Sequence, residues 1–291
     1  MSLIARNLAF VAGVALLFMS ACAHQDAASN AAGASSSPSL TDQIAGEMGR
    51  MNSDQNAAQQ DQDAYNRALQ DPSLAFGDPT SVAVARAAAD GDAAQVRQLV
   101  ARGARLDVHG MNNITLLEWE VLHGSIPGVN ALLDAGADPS QRGVGGKTAL
   151  SAAAAYGGPD YVRAFLDHHA DPNATDEDGN TPLIDAMIND DDAPIDLLLQ
   201  GGADVNRTGA LGYTPLIKAT LGMNAFARAL RLLQAGADPR AIITVGGTPK
   251  TFQTYLNLSP RDTMSAEAKQ GLENIDDWLN AHNVPIERPT E

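Results

Sequence analysis

The chain carries a single cysteine, Cys22, in 291 residues, which excludes an internal disulfide framework and a cysteine-built zinc shell. Aromatic residues make up only 4% of it, too few to line a deep ligand cavity. Much of the 44% apolar content is alanine, and small side chains suit closely stacked helices. Basic residues are scarce as well: 19 Lys and Arg stand against 35 Asp and Glu, a net charge of −16. That balance opposes binding to the phosphate backbones of nucleic acids and to anionic lipid surfaces, and it makes a basic or neutral protein the easier partner. No Gly-x-Ser-x-Gly elbow occurs, so the residues offer no nucleophile constellation for catalysis.

The place of the one cysteine is informative. Residues 1–21 have Arg6, an apolar run from Leu8 to Met19, then Ser20 and Ala21, the pattern of an export signal too short to span a membrane. The order Met19-Ser20-Ala21-Cys22 resembles the lipobox of bacterial lipoproteins, in which the cysteine is lipidated and becomes the first residue of the mature chain. The alternative is an ordinary cleavable signal. The resemblance, with Ala23 next, implies a periplasmic protein anchored by lipid on Cys22, at the outer membrane. Residues 22–39 are Ala, Ser, Asn, Gln, Gly and Pro almost throughout, a tether by composition. Residues 40–78 form a polar linker or a capping helix, with Leu40, Ile44, Met48, Met51, Tyr65 and Leu69 at loosely helical intervals.

From there a spacing of 33 residues organises the chain. Gly103, Gly136, His169, Gly202 and Gly236 hold one equivalent position, and Thr115, Thr148, Thr181, Thr214 and Thr248 hold another, each series stepping by 33 or 34. Such a period means a solenoid whose units bury their apolar faces only by stacking. In "NTPLIDAMIND" the Thr181 hydroxyl serves the helix start, Pro182 fills a first-turn position where its missing N–H is harmless, and Leu183, Ala186 and Met187 form an apolar face. A second helix, "PIDLLLQ", follows, and Gly202 ends it in a left-handed conformation. Each unit is helix, turn, helix and projecting loop.

"GNTPLIDA", "GYTPLIKA", "GADPS", "GADVN" and "GADPR" carry a resemblance to ankyrin-repeat proteins. It implies an all-α solenoid over residues 79–285, of about six units beginning near Pro79, Met111, Val144, Glu177, Ala210 and Val245, before a tail at 286–291. The first and last units depart from the pattern, as end units with one neighbour must. The histidine that usually follows T-P-L is replaced by Glu118, Ser151, Ile184 and Ile217. Trp119 and Glu120 occupy places usually held by small apolar residues, marking either a relaxed edge unit or a special contact.

Chemistry that would compete with binding fails on spacing. Gly146-Lys147-Thr148 imitates the end of a phosphate loop, yet Gln141 stands where that motif needs glycine. His168 and His169 are adjacent rather than spaced as a ligand pair. The runs Asp176-Glu177-Asp178 and Asp190-Asp191-Asp192 lack the glycine of a calcium loop and read as a solvated edge or an acidic contact patch. No metal, cofactor or small-molecule substrate is expected.

In the proteins this chain resembles, partners are held by the loop tips and the first helix of each unit. Carried over, those places are Met111, Asn112, Ile114, Leu122, His123, Val144, Lys147, Tyr156, Glu177, Asp178, Asn180, Ile188, Asn189, Leu211, Tyr213 and Leu221. Tyr156 and Tyr213 are the preferred anchors, being aromatics within a polar rim. The resemblance implies a non-enzymatic protein-binding module. Its partner would be a secreted toxin such as a lipase, delivered by the type VI secretion system and neutralised by an immunity protein; the alternative is a scaffold for a periplasmic enzyme such as a catalase.

Overall fold

The computed structural model of the protein describes residues 63–188, 191–221, 225–245, 248–257 and 264–287. Contacts divide the chain into Met1–Tyr65 and Asn66–Glu291. Cys22, the export signal, the tether and Leu40, Ile44, Met48 and Met51 lie outside the described residues.

Residues 63–70 are helical (α1), and a short helix α2, Pro72–Ala75, follows behind its Asp71 cap. Helices then come in pairs: α3 Pro79–Ala89 with α4 Ala93–Ala101, and α5 Leu116–His123 with α6 Ile126–Asp134. The third pair is α7 Ala149–Ala152, prolonged by a π turn at Ala153–Gly157, with α8 Pro159–Asp167. The fourth is α9 Pro182–Asp185, prolonged by a 3₁₀ turn at Ala186–Ile188, with α10 Ala193–Gln200. α11 Pro215–Ala219 with α12 Ala225–Gln234, and α13 Phe252–Leu256 with α14 Ala266–Ala281, complete the series. Among the described residues the strands are β1 Ile243–Val245 and β2 Thr248–Lys250, an antiparallel pair.

The two periodic series act as local punctuation. Thr115, Thr148, Thr181 and Thr214 cap the first helices, each Oγ1 accepting the backbone N–H three residues on at 3.1–3.4 Å; such a cap is worth about 1 kcal/mol. At the far end of the second helices, Gly103, Gly136, Gly202 and Gly236 have φ between 89° and 98°. His169, with φ 62°, takes the glycine's backbone conformation as well as its place in the repeat. Thr248 does not belong with the caps. It lies in β2, and Thr251 caps α13 instead, accepting from Thr254 N–H at 3.2 Å. The loop of this last unit is lengthened into a hairpin pairing Ile243 with Lys250, which moves the helix start three residues along.

First helices α3, α5, α7, α9, α11 and α13 stack side by side in chain order, and α4, α6, α8 and α10 form a second layer behind them. α14 closes the end against α12. The period reaches into the core: Val96, Val129, Val162 and Ile195 are all 0% exposed, as are Leu132, Phe165, Leu198 and Leu232. Each such side chain contributes about 1.5–3 kcal/mol by leaving water, but only because the neighbouring unit covers it. No helix among the described residues is long and apolar enough to cross a membrane.

Candidate protein-binding face

Ahead of each capping threonine the chain makes a tight turn that projects as a tip. Met111–Asn113, Val144–Gly146 and Ala210–Gly212 are the turns, with Asn112, Gly145 and Leu211 left-handed at φ 54°, 62° and 57°. Gly110, Gly143 and Gly209 close them by donating to the carbonyls of Ile114, Lys147 and Tyr213 at 2.8–2.9 Å. Asp176 does the same in the fourth unit, donating to Asn180 O at 3.0 Å. Successive tips are laced together. His109 Nε2 donates to Arg142 O and Asn113 Nδ2 to Gly143 O, both at 2.9 Å. Arg142 donates to Gly146 O and Thr175 O, and Ala210 N–H donates to Asn180 Oδ1 at 3.0 Å. The row is therefore ordered before any partner arrives.

Charged groups lie beneath this row. Lys147 Nζ is 2.8 Å from Asp176 Oδ2 and 2.7 Å from Asp185 Oδ1, joining the third tip to the fourth tip and to α9. Burial works to lower the Lys147 pKa, but Asp185 and Asp176 outweigh it and hold the ammonium above its ordinary value. Asp185, the deeper acid, is pushed up by burial against the pull of Lys147. Asp176 is also raised by burial, yet bonds from Lys147 and Asn180 bring it below the ordinary value. Glu118 completes a capping box, accepting the Thr115 N–H at 3.0 Å, and burial raises its carboxyl to about 7. It fills the space beside Gly143, where a Cβ would fall 1.5 Å from its Oε2, so a larger residue there would have to displace the Glu118 carboxyl from its bonds to Thr115 and Val144.

The sixteen positions carried over from the resemblance separate into several environments. Asn112, Val144, Tyr156, Glu177, Asp178, Ile188, Leu211 and Leu221 are exposed, while Met111, Leu122, Asn180 and Tyr213 are half-buried. Asn189 lies outside the described residues. Ile114 is not exposed as expected: it is 2% exposed, turned inward with Phe76 so that both lie 3.0 Å from where a Cβ on Gly110 would stand. Lys147 is not a free contact either, since its ammonium is spent on Asp176 and Asp185. The acidic runs are partly consumed too, because Asp192 accepts from the buried Arg228 at 2.5 Å. Tyr213 sits 6.5 Å from the Tyr255 ring of α13.

His123 and Trp119 show what the sequence left open. Trp119 is 1% exposed, its indole N–H donating to Ala68 O at 2.9 Å and its ring edge-on to Phe76 at 6.3 Å. His123 stacks on Trp119 at 4.6 Å and donates from Nδ1 to Leu69 O at 2.9 Å. The stretch 66–76 thus lies across the first-helix face of this unit, and the large residue at position 119 is the contact it makes. Among the described residues no group of His, Cys, Asp and Glu is arranged to hold a metal ion.

A family model for ankyrin repeats matches three times, over residues 84–176, 117–209 and 150–242. Together those matches span more than half of the 291 residues. The chain belongs to the ankyrin-repeat family. No curated protein matches it. Ankyrin repeats are generally protein–protein interaction modules, and in this one the tips and first helices present one continuous face while the second helices back it.

Proposed function

We propose that this ankyrin-repeat protein is a stoichiometric inhibitor held at a membrane by lipid on Cys22 in the periplasm, where its tips and first-helix face cover a toxin delivered by a type VI secretion system, such as a phospholipase. The observation that carries the reading is the laced row of tips above an exposed apolar series in a strongly acidic chain. A surface already ordered loses little conformational freedom on binding, and the charge surplus steers a basic partner onto it. A lipid tether keeps the inhibitor where a lipase acts.

The test is co-purification of the protein with the product of its neighbouring gene, together with loss of self-protection when the inhibitor gene is deleted. A neighbour with no toxicity in the periplasm ends the proposal, and a peroxide-detoxifying neighbour turns it to a scaffold. The tether is tested separately: Cys22→Ala is expected to abolish lipidation and release the protein from membranes, and normal retention contradicts it.

A further inference from the structure

The first-helix face is covered by the chain itself at its N-terminal end and open beyond that cover. Trp119 and His123 hold the same phase of the repeat as Ala152 and Tyr156, 33 residues later. In the earlier unit these positions lie under Ala68, Leu69 and Phe76; in the later one Tyr156 is 51% exposed. Towards the other end Tyr213 leans on Tyr255 of the next first helix, α13. Beyond the covered unit stand Tyr156, Ile188 and Leu221, each about half exposed, at the ends of three successive first helices that abut one another.

Leu211, at the tip above this stretch, is unfavourable on two counts. It is 86% exposed, and it has φ 57° where the equivalent residues of other units are Asn112 and Gly145. A left-handed conformation costs a β-carbon residue about 1 kcal/mol or more, so neither folding nor solubility accounts for leucine there. Strain of that kind collects at sites of use. Charge narrows the partner further. Residues 144–221 hold 12 acidic side chains against 4 basic ones; the ion pairs of Lys147 with Asp176 and Asp185, and of Arg228 and Arg231 with Asp192 and Asp196, reduce that surplus without removing it.

We infer that the partner docks on the window from Tyr156 to Leu221, with Leu211 entering an apolar pocket of a protein surface rimmed by lysine and arginine. This rests on the reading of the chain as a protein-binding module, and it adds where the partner sits and what chemistry it presents. The sealed unit around Trp119 then contributes an edge and no contacts.

The probe is a fluorescein-labelled helical peptide with leucine on one face and arginine on the other, alongside a second peptide in which every arginine is glutamate. Both are titrated into the whole protein and followed by anisotropy. The arginine peptide is expected to bind, more weakly as salt rises, and the glutamate peptide is not. The double variant Leu211→Asn/Leu221→Ser is expected to weaken binding by about tenfold or more, the loss of two buried leucines. Leu74→Ser, an exposed apolar side chain of α2 outside the window, is expected to leave it unchanged. Asparagine is chosen because Asn112 already occupies the equivalent conformation, so Leu211→Asn is expected to keep or raise the melting temperature and a weakened complex is not an unfolded one. Equal binding of both peptides, no binding of the arginine peptide, or binding that the double variant leaves intact overturns the inference. The neighbouring gene product is absent from this experiment, so its result stands apart from the co-purification test.

Discussion

Glu120→Gln is expected to stabilise the protein by an amount that grows with pH. Glu120 is 0% exposed in α5, and neither carboxylate oxygen has a hydrogen-bond partner among the described residues. It is wedged against α6, where a Cβ on Gly128 would fall 2.2 Å from its Oε2. Burial, helped by the nearby Asp90, raises its pKa from 4.5 to about 9. The sign follows from proton counting. Above pH 4.5 the unfolded chain releases this proton while the folded chain keeps it, so the group's contribution is whole below pH 4.5 and is lost as pH rises towards 9. Each pH unit in that window costs about 1.4 kcal/mol, hence about 3 kcal/mol at pH 7.

Glutamine keeps the shape of the protonated acid and does not titrate. The variant should therefore match the parent near pH 4.5 and exceed it by about 3 kcal/mol at pH 7, a rise of roughly 6–12 °C in melting temperature for a folded unit of this size. Glu118, at about 7, adds its own slope to both proteins and cancels in the difference. Thermal and denaturant unfolding of both proteins at pH 4.5, 7 and 8.5 is the assay. Parallel pH profiles, separated by a constant offset or none, refute the reasoning.

Three further outcomes are expected. Trp119→Phe removes the donor to Ala68 O and should cost about 1–2 kcal/mol while exposing residues 66–76 to protease under native conditions; an unchanged digestion pattern contradicts the seal. Lys147→Met leaves Asp185 buried without its cation and should destabilise by about 3–5 kcal/mol, with most of that recovered in Lys147→Met/Asp185→Leu; chemical denaturation shows whether the second change rescues the first. His169→Gly relieves a left-handed residue that is exposed at the end of α8 and should stabilise by about 1 kcal/mol; a lower melting temperature shows instead that the imidazole makes a contact worth more than the strain.

The architecture was legible because its determinants are local and repeated. A threonine cap acts on an N–H three residues away, a left-handed residue acts on its own helix, and each recurs at every unit, so Thr115, Thr148, Thr181 and Thr214 could be aligned by counting. Counting failed at Thr248 because the hairpin Ile243–Lys250 is held by strand pairing, which leaves no mark at a fixed offset from the period. The exposed part of the face was legible on the same terms. Tyr156, Ile188, Leu211 and Leu221 follow from the phase of helix and tip alone.

What could not be counted was set by partners far along the chain. Lys147 is taken out of the surface by Asp185, 38 residues on, and His123 by Leu69, 54 residues back. Such pairings have no period, since they join a repeat to something that is not its equivalent. The two substitutions that break the repeat most sharply, Trp119 and Glu120, fall side by side in one early unit, and their environments explain the coincidence. Here α5 still stacks between α3 and α7, but the irregular stretch 66–76 lies over Trp119, and the missing side chain of Gly128 in α6 leaves room for Glu120. An indole fills the first space and a carboxyl the second. The unit covered by the stretch 66–76 is thus marked by large residues at small-residue positions, and the same break in pattern marks where the uncovered part of the face begins.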